Sequence, residues 1–221
     1  MADVSSTNNY RTKDERGEEV EEQTIITALD DPSKFNVKHP LQNAWTLWFD
    51  LPERKQTEKT WTQNVKPVIT FRTVEDFWGV FNNITPFEDL SLGANYHFFK
   101  EGIKPMWEDP ANENGGRWVA EYQRRQAKDV HNKWINIMLS LIGENYAYGD
   151  NICGVIFSNR KVCYRFSLWT RNTDDSVAIK EIGETFIKYL NYDQATEVSS
   201  INFNRHTDSR DVKPLYEVSR K

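Results

Sequence analysis

The segment VCYRFSLWT (Val162–Thr170) decides how the chain is read. In an extended strand, successive side chains point to opposite faces. Val162, Tyr164, Phe166 and Leu168 then share one face, apolar enough to be core. Cys163, Arg165, Ser167 and Trp169 share the other, which puts a cation and an indole on the side away from the core. CGVIF (Cys153–Phe157) precedes this segment across the polar turn SNRK, so the two predict a hairpin. The pattern implies a sheet with one packed face and one open face.

The flanking sequence extends the sheet. AWTLWFD (Ala44–Asp50) alternates and stops before Pro52, and YHFFK (Tyr96–Lys100) and RWVAEY (Arg117–Tyr122) read as strands, with a turn over Glu113–Gly116 between the last two. Thr73-Val-Glu-Asp76 resembles a capping box with Asp at the acidic position. Phe77, Val80, Phe81 and Ile84 follow at helical spacing, predicting a helix over Thr73–Ile84. Ala127–Ile142 carries the strongest helical stripe, Val130, Trp134, Ile137, Met138, Leu141 and Ile142, and stops at Gly143. Ser176–Leu190 is a third helix with Ile179, Ile182, Phe186 and Leu190 inward. Strands outnumber helices and short turns join some of them, so the class is α+β, a largely antiparallel sheet with about three helices on one face.

The 221 residues include eight tryptophans, enough apolar material for one sizeable core. Residues 1–37 are acid-rich (DERGEEVEEQ, Asp14–Gln23) and poor in aromatics, which predicts a disordered tail. The domain is expected over 38–207, with a loose polar tail over 208–221. A net charge of −5 argues against electrostatic wrapping of long nucleic acid but leaves room for a small basic site. Cys153 and Cys163 lack zinc-ligand spacing and are too few for a disulfide framework. No apolar run approaches ~18 residues, and the polar N-terminus is not signal-like. The expected compartment is the cytoplasm, with the nucleus as a second. His39, His97, His131 and His206 form no metal-binding spacing. No phosphate-cradling glycine loop or G-x-S-x-G occurs, so neither catalysis nor a cofactor or metal is expected.

Two tryptophans lack periodic partners: Trp61 in TEKTWTQN and Trp107 in PMWEDP. A single loop indole ordinarily folds back over a hydrophobic edge. Two of them, one followed by an acid, can sandwich a flat ring, with stacking of ~1–3 kcal/mol per base and ~0.5–2 kcal/mol more if that ring is cationic. Glu108 as a carboxylate only accepts hydrogen bonds, which fits the N1–H and N2 amine of guanine and not the N1 acceptor of adenine. The plain alternative is a solvated loop acid. Arg160, Lys161, Arg165 and Arg117 gather cations that suit a short polyphosphate, the alternative being solvated surface arginines. Ile135 and Leu139 lie about 100–140° from the centre of their helix's buried stripe. Val74 and Trp78 are displaced similarly on the first helix. The two pairs suggest a groove for a partner helix, unless a neighbouring loop covers them.

HPLQNAWTLWF (His39–Phe49), KTW (Lys59–Trp61), TVEDFWGVFN (Thr73–Asn82), FFKEGIKPMWED (Phe98–Asp109), GGRW (Gly115–Trp118) and LIGE (Leu141–Glu144) together resemble the eukaryotic translation initiation factor 4E family. That family binds the 7-methylguanosine cap of messenger RNA. The resemblance runs from about His39 to Leu190. It implies a cupped, mainly antiparallel sheet of about eight strands with three helices on the convex face. It also implies that Trp61 and Trp107 sandwich the methylated base and that Glu108 and the Trp107 backbone N–H read its edge. Trp169 would face the N7-methyl group, and Arg160 and Arg165 would hold the triphosphate with Arg117 behind them. Many members carry lysine at the Arg165 position, and a guanidinium forks differently. The same resemblance assigns His39, Pro40, Leu41, Val74, Trp78, Ile135 and Leu139 to a patch for the Tyr-x4-Leu-apolar helix of a scaffold subunit and of competing repressors.

One family branch promotes initiation and another represses, and Trp61 matches the initiating branch. The rival readings are a repressing homologue, an enzyme acting on capped ends, and an aromatic cage for methylated peptide.

Overall fold

Alternation along the strands sorts their side chains into two faces, and the helices cover one of them. The computed structural model describes residues 38–51, 64–125, 127, 129–191, 198, 200–208 and 212–219; the architecture is that of the unit His39–Lys221. The expected N-terminal tail and Trp61 lie outside the described residues. The strands are β1 (Pro40–Asp50), β2 (Lys66–Thr73), β3 (Asn95–Lys100), β4 (Gly116–Gln123), β5 (Ile152–Asn159), β6 (Cys163–Thr170), β7 (Ser200–Arg205) and β8 (Tyr216–Ser219). They form one curved, eight-stranded sheet in the order β2-β1-β3-β5-β6-β4-β7-β8, and every neighbouring pair is antiparallel. The helices are α1 (Val74–Phe81), α2 (Val130–Ile142) and α3 (Ser176–Leu190). This is the α+β class read from the sequence, with β2, β7 and β8 added to the elements it predicted.

The main core lies between sheet and helices. Trp45 and Leu47 of β1, Phe98 of β3, Trp118 of β4, Phe157 of β5 and Phe166 of β6 meet Phe77, Trp134, Ile179 and Phe186 from the helices. Aromatic rings interlock there. Trp45 stacks on Phe98 at 4.7 Å and Tyr96 on Trp134 at 5.6 Å. Fully burying one such side chain contributes about 1.5–3 kcal/mol. All six residues of the α2 stripe and all four of the α3 stripe are buried.

Element ends follow local chemistry. Thr73 caps α1, its hydroxyl accepting from the Asp76 N–H at 3.2 Å. The helix stops at Phe81, short of the predicted Ile84. The Asn83 amide turns back to the Gly79 carbonyl at 2.7 Å, and Pro86 disfavours helical backbone at Thr85. α2 starts at Val130 rather than Ala127 because Asp129 has left-handed backbone, φ 51°. Val162 is not core. It sits in the turn ahead of β6 and is 66% exposed.

The tail is also corrected. Residues 208–221 include β8, which pairs with β7 through Ile201↔Val218 and buries Val218. Tyr216–Ser219 is thus an edge strand of the sheet, not part of a loose end.

Candidate functional site

The open face of the sheet carries a groove of about 1040 Å³ built from one side-chain parity of its central strands. Register puts these residues in three cross-strand rows. The first runs Phe99, Gly154, Trp169, Arg117, Asn204, and the second His97, Ile156, Ser167, Val119, Asn202. The third runs Asn95, Ser158, Arg165, Glu121. Arg160, just past β5, lines the same end as the third row. The indole end and the cation end are therefore four residues apart along β6, about 13 Å by strand rise. A nucleoside polyphosphate covers such a span.

The indole end is roofed by the connection from β3 to β4. Those strands are not neighbours, so this loop crosses the ends of β5 and β6, where Trp169 stands. Ile103 and Ala111 of the loop pack on Phe99, Cys153 and Trp169 in a second small apolar cluster. The Cys153 thiol donates to the Ala111 carbonyl at 3.3 Å, and burial pushes that thiol up to about 11, so it is inert at neutral pH. Gly115 closes the crossing. A Cβ there would lie 1.9 Å from the Thr170 carbonyl oxygen, so only glycine fits.

The two acids of PMWEDP divide their work. Asp109 accepts from the backbone N–H groups of Lys104 (3.0 Å) and Ala111 (2.9 Å). The fully buried Asn112 donates to the carbonyls of Lys104 (2.9 Å) and Met106 (2.7 Å). These bonds fix the loop from inside. Glu108 is exposed and has no hydrogen bond or ion pair among the described residues. Trp107 beside it is 42% exposed, and no described ring stacks on it. An exposed indole and an exposed carboxylate are thus held outward by a braced loop.

Trp169 is only 6% exposed. Phe99 meets it edge-on at 5.6 Å, and the His206 ring lies 4.0 Å away. Arg117 Nη1 donates to His206 Nδ1 at 3.4 Å. Burial, and then the Arg117 charge, hold His206 down to about 3, so its ring is neutral. A neutral imidazole adds no charge of its own beside the indole, whose cross-strand neighbour is Arg117.

The expected phosphate cations are present and already engaged. Arg165 forks onto Glu121 across the β4–β6 pair, Nε at 2.7 Å and Nη2 at 2.6 Å. Arg160 donates from Nη1 to the Gly93 carbonyl and from Nη2 to Asn95 Oδ1, both at 2.8 Å. Burial is the main influence lowering its pKa, with the Arg165 charge second. Neither is a free surface arginine. Asp109, Asn112, Glu121, Asn95 and His206 were not singled out in the sequence. Only Asp109, next to a proline in a turn-rich stretch, carried a local signal.

The helical face carries the second set of candidates. The Val74 N–H donates to the His39 carbonyl at 2.9 Å, and His39 returns its own N–H and Nδ1 to the Glu75 carboxylate at 2.9 and 2.6 Å. These bonds hold Glu75 down to about 2. Trp78 is 37% exposed and meets Phe81, which touches His131 and Trp134 of α2. Pro40 is exposed, while Leu41, Val74, Ile135 and Leu139 are half-buried. Another depression, about 810 Å³ and including Lys100 and Glu144, lies apart from both sets. Its Lys100 already donates to the Gly149 carbonyl and its Glu144 accepts from Asn43. Among the described residues no three His, Cys, Asp or Glu side chains are grouped to hold a metal.

The family model described as eukaryotic initiation factor 4E matches residues 40–220. The chain belongs to the eukaryotic initiation factor 4E family. It is 38% identical over 202 residues to eukaryotic translation initiation factor 4E-2 of Solanum lycopersicum, covering 89% of this chain and 86% of that one. It is 38% identical over 192 residues to eukaryotic translation initiation factor 4E-1 of Schizosaccharomyces pombe, covering 86% of each. Among solved structures, Ascaris suum eIF4E-3 in complex with an m2,2,7G cap superposes with a TM-score of 0.74 at 34% identity, covering 82% of this chain and 99% of that one. C. elegans eIF4E-3, in complex with the 4E-binding protein Mextli and a cap analog, gives 0.73 at 34% identity over 82% and 100%.

Proposed function

We propose that this member of the family binds the 7-methylguanosine cap of messenger RNA in the groove and takes a scaffold or repressor helix on its helical face. Trp61 and Trp107 stack on the two faces of the methylated guanine, and Glu108 accepts from N1–H and the N2 amine. The Trp107 N–H meets O6, Trp169 faces the N7-methyl group, and Arg160, Arg165 and Arg117 serve the triphosphate. His39, Pro40, Leu41, Val74, Trp78, Ile135 and Leu139 form the partner patch. The observation that carries the reading is the pairing of an exposed Trp107 with an exposed Glu108, neither engaged by a ring, hydrogen bond or ion pair among the described residues, on a loop whose other acid is spent on bracing it. Family members solved with cap and with 4E-binding proteins support both halves. The compartment that follows is the cytoplasm.

The physical basis is charge discrimination. Methylation at N7 makes the ring cationic, so both indole faces and the carboxylate gain over plain guanine. GTP and its N7-methylated form compared by titration test this directly, and the methylated form should bind more tightly by at least tenfold. Trp107→Ala should abolish most of that preference. Equal affinity for the two nucleotides would end the proposal. A released nucleotide after incubation with cap analogue and Mg2+ would favour an enzyme acting on capped ends.

A further inference from the structure

Beside the polyphosphate end of the groove a chain of polar groups runs from Arg160 through Asn95 to Asp50, a buried acid that nothing above has used. Asp50 ends β1, 1% exposed, and is the cross-strand neighbour of Asn95, so it extends the third row at its β1 end. Its Oδ1 accepts from Asn95 Nδ2 at 2.9 Å and from His97 Nε2 at 2.6 Å. Asn95, 4% exposed, then presents its own Oδ1 to Arg160 Nη2 at 2.8 Å. Asn95 and His97 face the groove, as does Arg160.

The chemistry of the amide makes this chain directional. Asn95 has one accepting end and one donating end. A carboxylate accepts only, so Asp50 fixes which end of Asn95 faces it. The amide oxygen is thereby turned to the guanidinium. Without Asp50 only the longer 3.3 Å bond from Nδ2 to the Gly93 carbonyl holds that orientation, and an amide that rotates offers its NH2 to a cation, which loses the bond and opposes like partial charges. Arg160 has five N–H donors. Among the described residues Gly93 and Asn95 take one each, leaving three from a fixed origin. A pinned guanidinium loses less freedom when a phosphate docks. His97 serves the same end. Its N–H on Asp50 helps offset a buried carboxylate that would otherwise oppose an anion in the groove beside it.

We infer that Asp50 is a positioning residue for polyphosphate recognition, acting through Asn95 on Arg160, so that the groove's phosphate selectivity is set from a buried acid that never touches the ligand. This rests on the cap-binding reading and specifies its phosphate half.

The test compares N7-methylguanosine triphosphate with the unphosphorylated N7-methyl nucleoside in the full chain. Asp50→Asn should weaken the triphosphate about fivefold to tenfold, the scale of a lost charge-assisted bond, and leave the nucleoside within about twofold. Asn95→Ala should give the same pattern, so either variant suffices if the other does not fold. In an Arg160→Gln background, Asp50→Asn should have no further effect on the triphosphate. Equal losses for both ligands, or an undiminished loss in the Arg160→Gln background, would overturn the inference while leaving cap binding standing. If the wild-type chain shows no preference for N7-methylated over plain nucleotide, the parent reading fails and this one with it.

Discussion

Glu121 opposes the chemistry of its own groove. It faces Arg165 directly across the β4–β6 ladder and takes two of its N–H donors. Both partners are 42% exposed, so the pair contributes little to stability, about 0–1 kcal/mol. A polyphosphate must share Arg165 with it. Glu121→Gln is therefore expected to raise affinity for the capped triphosphate about twofold to fivefold at low salt and to leave the nucleoside unchanged; a loss of triphosphate affinity would show that Glu121 orients Arg165 instead. His206 predicts a pH effect. Its folded pKa, about 3, lies below the ordinary 6.5. The unfolded chain then binds the extra proton below pH 6.5, so stability is full above that pH and falls as pH drops toward 3. Each unit is worth about 1.4 kcal/mol. Denaturant melts of wild type and His206→Asn between pH 7 and 4 should show a shallower acid slope in the variant. Both residues escaped the sequence reading for one reason. Glu121 and His206 act through partners 44 and 89 positions away, and a linear pattern carries no sign of such pairs.

The β3–β4 loop is the element that converts fold into site. Its sequence announced an exposed indole, and Trp107 is indeed turned out. What holds it there was not legible, because Asn112 is an ordinary polar letter until its two carbonyl partners are known. Asn112→Ala leaves the Lys104 and Met106 carbonyls without these donors inside the loop, which should cost about 1–3 kcal/mol and weaken cap binding although Asn112 touches no ligand. Titration of the folded variant with N7-methylguanosine triphosphate checks this; unchanged affinity would mean that Asp109 alone suffices. The strands divide in the same way. β6 was readable because it is central and its two faces differ in kind. β2 was missed because it is an edge strand whose residues are mostly exposed, so no alternation marks it. β7 did alternate, Ile201 and Phe203 inward against Asn202 and Asn204, but it follows a polar stretch that masked the pattern. β8 is four residues long, too short for any periodic signal. Because Val218 is buried against the main core, Val218→Ser should lower the melting temperature, by the about 1–2 kcal/mol of a buried aliphatic replaced by a small polar group.

Across the whole molecule the sheet acts as a partition. Side chains of one parity build the groove, and those of the other parity, with α1, α2 and α3, build the core. The candidate partner patch lies beyond that core, on α1, α2 and the start of β1. Trp78 belongs to the far side. It is 37% exposed, and its ring contacts are with Phe77 and Phe81 of its own helix. Among the described residues its ring contacts include none that lines the groove. Central aromatic residues of an interface often contribute 2 kcal/mol or more, whereas substitutions with no shared neighbours act independently to within about 0.5 kcal/mol. Trp78→Ala should therefore reduce binding of a Tyr-x4-Leu-apolar peptide at least thirtyfold (about 2 kcal/mol) while changing affinity for N7-methylguanosine triphosphate less than about threefold. Calorimetry of both ligands on the same preparation measures the two numbers together. A large loss of cap affinity in that variant would mean that the packed layer transmits between its faces, and the sheet would have to be regarded as a lever rather than a wall.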